Sequence, residues 1–158
     1  MESKLCDGDE RVVRAIRSSD WDCKKQRWSS NLFTGPDTSV SRLKILELKK
    51  LFIIFFRQLH KPPAHEVLAA GEIEVNHLQK LGNEFRPNGK PDPRVITVIE
   101  KKLKDNPAHA EIRERLPRSL SHKIIEELEM HSAPSIPWWV KITKRVDEII
   151  KLLKGSRN

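Results

Sequence analysis

Six histidines, two cysteines and 22 acidic residues are the side chains of this 158-residue sequence that can ligate a metal or move a proton. Their spacing favours neither use. His60, His65, His77, His109, His122 and His131 form no HxH or HExxH pair, and Cys6 and Cys23 make no CxxC. No metal and no cofactor is expected from these patterns, and both cysteines read as free thiols. Phosphate-cradling glycine loops and the GxSxG elbow of hydrolases are absent from the sequence. Two clusters suit binding instead. In the first, Trp21, Lys24, Lys25, Arg27 and Trp28 interleave cations with aromatic rings, a composition that can stack on single-stranded nucleic acid. The stretch 42–61 carries a net charge of +5 and adds Arg42, Lys44, Lys49 and Lys50 to that basic surface.

The second cluster closes the chain. Trp138 and Trp139 follow Pro137, and Trp139, Ile142, Val146, Ile149 and Leu153 recur at spacings of 3, 4, 3 and 4. This is the narrow apolar seam of a helix that pairs with one partner. Lys144, Arg145 and further cations occupy its other side, with a net charge of +4 over 138–158. Trp is enriched where interfaces concentrate their binding energy. Trp138, Trp139, Ile142, Lys144, Arg145, Val146, Ile149 and Leu153 are therefore the expected partner-binding residues. The partner would be a protein with an acidic surface and an apolar groove. Docking of the helix on its own domain is the competing reading. A membrane-surface role is weaker, since no second anchor accompanies the helix, and no membrane partner is expected.

The elements that must carry these clusters come from a chain with 33% charged residues and a net charge of +8. Such a balance draws the protein towards nucleic acid or acidic protein surfaces. Its length suits one domain with a core of its own. The longest apolar run, Leu51 to Phe56, has six residues against the ~20 needed to cross a bilayer. The start shows no basic-then-apolar leader, and the expected location is the cytoplasm.

Residues 11–17, rich in Val and Ile, predict a first strand, and 18–37 predict a loop folded back by Trp21 and Trp28. A second strand is expected over 38–46. From Glu47 to His60 the spacing of Leu48, Leu51, Phe52, Phe55 and Leu59 predicts a helix, and Ile53, Ile54 and Phe56 widen its apolar side towards a central core helix. Residues 66–75 read as a strand whose Glu72-Ile73-Glu74-Val75 alternation gives it one wet face. A short helix follows from Asn76 to Leu81, stopped by Gly82. Residues 94–100 form the strongest strand signal, and 109–113 form its hairpin partner across the Asn106-Pro107 turn. A helix from Ser119 or Ser121 to His131 would turn Ile124, Ile125 and Leu128 inward. The sum is an α+β fold, with a small, mostly antiparallel sheet packed by two or three helices. The domain spans 1–131, 132–137 form a linker, and 138–158 form the basic amphipathic C-terminal helix.

Arg14 falls on the first predicted strand, Ser39 and Ser41 on the second, and Glu72 and Glu74 on a later one. An Arg, a Ser cluster and an ExE pair in that order resemble the arginine–serine–glutamate ADP-ribosyltransferases. The resemblance implies that Arg14 holds a cofactor phosphate, Ser39 or Ser41 positions the nicotinamide ribose, and Glu74 orients the acceptor. A fixed guanidinium suits an anionic cofactor, and a carboxylate suits an oxocarbenium-like state. The plainer reading is a set of charges on a strand's wet face.

The strings Val12 to Arg17, Ser29 to Pro36, Thr38 to Leu43 and Asp105 to Ile112 resemble a family of small uncharacterised bacterial proteins over residues 10–131. The chain is also similar to a small accessory protein of type III-E CRISPR loci, in which an RNA-guided effector activates a caspase-like protease. That similarity implies a binding role in a defence-linked signalling complex, with a protease substrate or a sigma factor of the same locus as partner. The leading expectation is thus a non-enzymatic adaptor. Nucleic-acid binding through the basic surface is the alternative, and an ADP-ribosyltransferase-like enzyme is the second.

Overall fold

The computed structural model describes residues 4–136. The first strand, β1 (Arg11–Arg17), puts its β-branched residues alternately on two faces, as a pleated strand must. Val12 and Ile16 join one apolar cluster and Val13 the other. A 3-10 turn over Ser18–Asp20 leads into a short hairpin, β2 (Trp21–Asp22) and β3 (Arg27–Trp28). The segment expected as a loop is thus ordered. Trp21 and Trp28 are cross-strand partners whose rings meet edge to face at 4.9 Å, and Trp28 packs on the core. Helix α1 (Asn31–Thr34) is short, and β4 (Thr38–Arg42) ends earlier than the alternation suggested.

Helix α2 (Leu48–Gln58) buries Leu51, Phe52, Phe55 and Phe56 but leaves Ile53 and Ile54 only half-covered. It lies on one face of the sheet and is not wrapped on all sides as a central helix would be. Strand β5 (Val67–Glu74) runs directly into α3 (Val75–Asn83). Gly82 sits inside α3 and does not stop it. Its missing Cβ lets the carbonyl of Arg94 come in against the helix. Strand β6 (Val98–Glu100) is shorter than the run of branched residues predicted, because 90–97 find no strand partner. Strand β7 (His109–Ile112) pairs with it as an antiparallel hairpin, Val98 opposite Ile112.

Helix α4 (Arg118–Glu126) ends before the expected His131, and the chain turns into β8 (Glu129–Ser132), an edge strand on β5. The domain therefore runs on past residue 131, and Ala133 and Ile136 pack on the α2 cluster. The main sheet has six strands in the order β6-β7-β4-β1-β5-β8, every pairing antiparallel. The cluster of Val12, Ile16, Leu32, Phe33, Leu78 and Leu120 joins one face of the sheet to α1, α3 and α4. Helix α2 covers the other face through Val13, Ala70 and Ala108. The α+β architecture expected from the sequence is the architecture of the protein.

Candidate functional site

Strands β1 and β4 sit side by side at the centre of the sheet, but their ladder is short. Val12 pairs with Arg42 and Val13 with Ser41, and the pairing stops there. On the far side, β1 stays paired to β5 along its whole length. On its own far side, β4 stays paired to β7 from Thr38 to Ser41. The two strands therefore part beyond Val13, and the sheet opens into a gap.

Arg14 fills that gap. It shares the strand parity of Val12 and Ile16, so it starts from an apolar face, and its guanidinium lies 5.7 Å from the Phe33 ring. Its Nη1 donates to the carbonyl of Ser39 at 2.6 Å, where separated strands no longer supply a ladder bond. Its Nε is buried without a hydrogen-bond partner. Burial pulls the Arg14 pKa down to about 10 despite the field of Asp20. Among the described residues, no carboxylate lies within ion-pair distance of Arg14; Asp20 is bound to Arg17 at 3.5 Å. Arg14 is half-buried, and a partly desolvated cation without a carboxylate partner beside a cleft is a candidate functional group.

The gap opens into a cleft of about 340 Å³ on the α2 side. Arg14, Arg17, Ser39, Ser41, Asn106 and His109 give it polar walls, and Phe55, Leu59 and Leu103 give it an apolar one. Among the described residues, no acidic side chain lines it. Ser41 and His109 are register partners on β4 and β7, so their side chains share one face at cross-strand distance. Buried Asn106 donates from Nδ2 to Ser41 Oγ at 3.1 Å and accepts the Ala108 N–H, which fixes the turn into β7. His109 Nδ1 faces the Lys101 carbonyl at 2.8 Å. A carbonyl can only accept, so this contact holds the proton on Nδ1 and leaves Nε2 as the lone-pair nitrogen of the neutral ring.

The structure separates the residues that the sequence grouped. Arg14, Ser39 and Ser41 do converge, but Glu72 and Glu74 are not in the cleft. Glu72 is buried under β8, ion-paired with Arg11 and 2.6 Å from His131, so the expected wet face of β5 is wet only at Glu74. Glu72, Glu129 and His131 bring ligand atoms within 4.8 Å of one another, a grouping no sequence spacing showed. Arg11 holds one oxygen of each carboxylate and His131 Nε2 approaches the other, so each of the two acids already has a cationic partner in Arg11.

The basic surface is also partly dismantled. Arg42 is not on it. It is buried, with two bonds to Glu10 at 2.7 and 2.8 Å and one to Glu100 at 2.5 Å. Those bonds hold the Glu10 carboxyl below its ordinary range and push Arg42 further up. Lys44 is spent on Asp7 at 2.8 Å and Lys50 on Glu47 at 3.2 Å, while Lys49 is exposed on α2, away from the hairpin cations. Lys24, Lys25 and Arg27 are exposed on the β2–β3 hairpin, and Trp21 and Trp28 beside them are half-buried, meeting edge to face with Trp28 packed on the core. Nearby His122 is pushed down, first by burial and then by Arg27. Trp138, Trp139, Ile142, Lys144, Arg145, Val146, Ile149 and Leu153 lie outside the described residues.

Two cleft residues, Asn106 and His109, escaped the sequence reading, which used their segment only as a turn and a strand. The available signal was His109 on the β7 strand and Asn106 in the turn before it, which become a pair once His109 is set opposite Ser41. Among the described residues no helix is long and apolar enough to cross a membrane. No protein-family model, curated protein or solved structure matches the chain, so the bacterial family and the CRISPR locus rest on the quoted strings alone.

Proposed function

We propose that the protein binds a small anionic ligand in the gap between β1 and β4. Its oxyanion, a phosphate or carboxylate, would face Arg14, and a compact apolar portion would rest on Phe55, Leu59 and Leu103. The single observation that carries this reading is the half-buried Arg14 with its orphaned Nε, beside a cleft in which, among the described residues, neither a carboxylate partner for Arg14 nor an acidic lining side chain is found. A guanidinium fork suits oxyanions, and the neutral walls supply hydroxyl and amide groups for orientation. The volume lies at the small end of ligand pockets, ~300–1,000 Å³, so the ligand is no larger than a mononucleotide. The carboxylate that a transferase would use is missing from the cleft, and the site is read as one of binding and not of group transfer.

Calorimetry tests the reading with AMP and benzoate as anionic probes and adenosine and benzyl alcohol as their neutral counterparts. Binding of at least one anion, with loss of at least tenfold in Arg14→Met, is the expected result. No heat with either anion, or equal affinity in Arg14→Met, overturns it. Adaptor function through Trp138, Trp139 and the 142–153 seam remains a separate proposal. A stoichiometric protein partner captured by the full-length chain from nuclease-treated lysate, and lost when Trp139 and Ile142 are replaced by Ser, would support it.

A further inference from the structure

A second hollow lies on the opposite half of the α2 face, away from the anion cleft. It is an apolar groove of about 730 Å³. Leu48, Phe52 and Phe56, four residues apart on α2, form one wall, and Met130 of β8 with Pro134 forms the other. A ridge with this spacing is what a second helix packs against. Leu48 and Ile53 are only half-covered and β8 has no strand on its outer side, so the groove is open at this edge among the described residues.

We infer that this groove seats the chain's own 138–153 segment. The chain itself leads there: Pro134 and Ser135 line the groove, Ile136 packs on the α2 cluster, and 22 residues follow it. Only Pro137 separates Ile136 from the Trp pair, so the segment starts within about two residues of the groove. From Trp139 to Leu153 a helix would rise ~21 Å, against ~16 Å for the 11 residues of α2, enough to cover that helix from end to end. The 3, 4, 3, 4 seam of Trp139, Ile142, Val146, Ile149 and Leu153 would complete the cover of Leu48 and Ile53, the α2 residues of the groove left half-covered. Lys49 on the rim can turn its ammonium outward.

Hydrogen exchange on the full-length chain tests the inference, comparing the native sequence with the doubly substituted Ile142→Asp, Ile149→Asp chain. Neither substitution replaces a residue of the two apolar clusters, so the sheet should be unaffected. The expected result is exchange at least tenfold faster over residues 52–59 and at Ile136 in the variant, with β1 and β5 unchanged, at every protein concentration. Equal exchange in the two chains overturns the inference and leaves the segment free for another protein, as the adaptor reading requires. Protection that fades on dilution also overturns it, since the occupant would then belong to a second copy.

Discussion

Arg14 and Arg42 stand on neighbouring central strands, two residues from one another's register, and meet opposite fates. Arg42 is buried with three bonds to two carboxylates, which raise its affinity for its proton. Arg14 has one carbonyl, an aromatic ring and an orphaned Nε, and its affinity for the proton falls. The first cation is consumed by the fold. The second is held in place by the fold and left uncompensated, and this is why the anion site is assigned to the cleft beside it and not to the more basic stretch 42–61. Net charge along the sequence points to the wrong arginine, because it ignores which cations already have partners.

The contrast can be broken by substitution. Arg42→Met should cost about 3–5 kcal/mol in urea unfolding, since it strands the Glu10 carboxylate in the core. That is a large part of the ~5–15 kcal/mol of a typical domain. Glu10→Gln should cost less, about 1–3 kcal/mol at neutral pH, and should change the pH profile. Arg42 holds the Glu10 carboxyl below its ordinary 4.5, so the stability this pair contributes is complete above pH 4.5 and is lost as pH falls through the lowered value. Unfolding curves between pH 7 and pH 3 should therefore show a shallower acid decline in Glu10→Gln than in the native chain. Arg14→Met should lie at the bottom of the series. Losing the orphaned Nε offsets losing the Ser39 bond, giving a stability between no change and a gain of about 1 kcal/mol. A loss approaching that of Arg42→Met would show that Arg14 is structural and would erase the comparison.

Much of the fold is legible in the chain because it follows from local pattern. Strand β1 ends where its Val and Ile residues give way to Ser18 and Ser19, and α2 follows the spacing of Leu51, Phe52 and Phe55. The hairpin of β6 and β7 is announced by the Asn106-Pro107 turn. The misses share a cause. Residues 94–97 and 127–132 have compositions that suit either strand or non-strand, and only the presence or absence of a neighbouring strand decided them. Ile96 is buried without pairing, whereas exposed Glu129 and Met130 pair because the β5 edge is there to receive them. Gly82 was read as a helix stop because a close approach by Arg94, distant in sequence, leaves no local trace.

The site divides in the same way. Arg14, Ser39 and Ser41 could be named from residue type and strand order, but their company could not. Register put His109 beside Ser41, the early end of the β1–β4 ladder opened the gap, and the strand order put β5, with Glu72 and Glu74, on the other side of β1 from it. By itself the sequence determined the class of fold, the strand and helix that bound the cleft, and a surplus of positive charge, because these depend on composition and on periods of two and 3.6 residues. Tertiary structure alone decided which cations keep a free charge, because a guanidinium is neutralised by whichever carboxylate the chain brings within a few ångströms, at whatever distance in sequence.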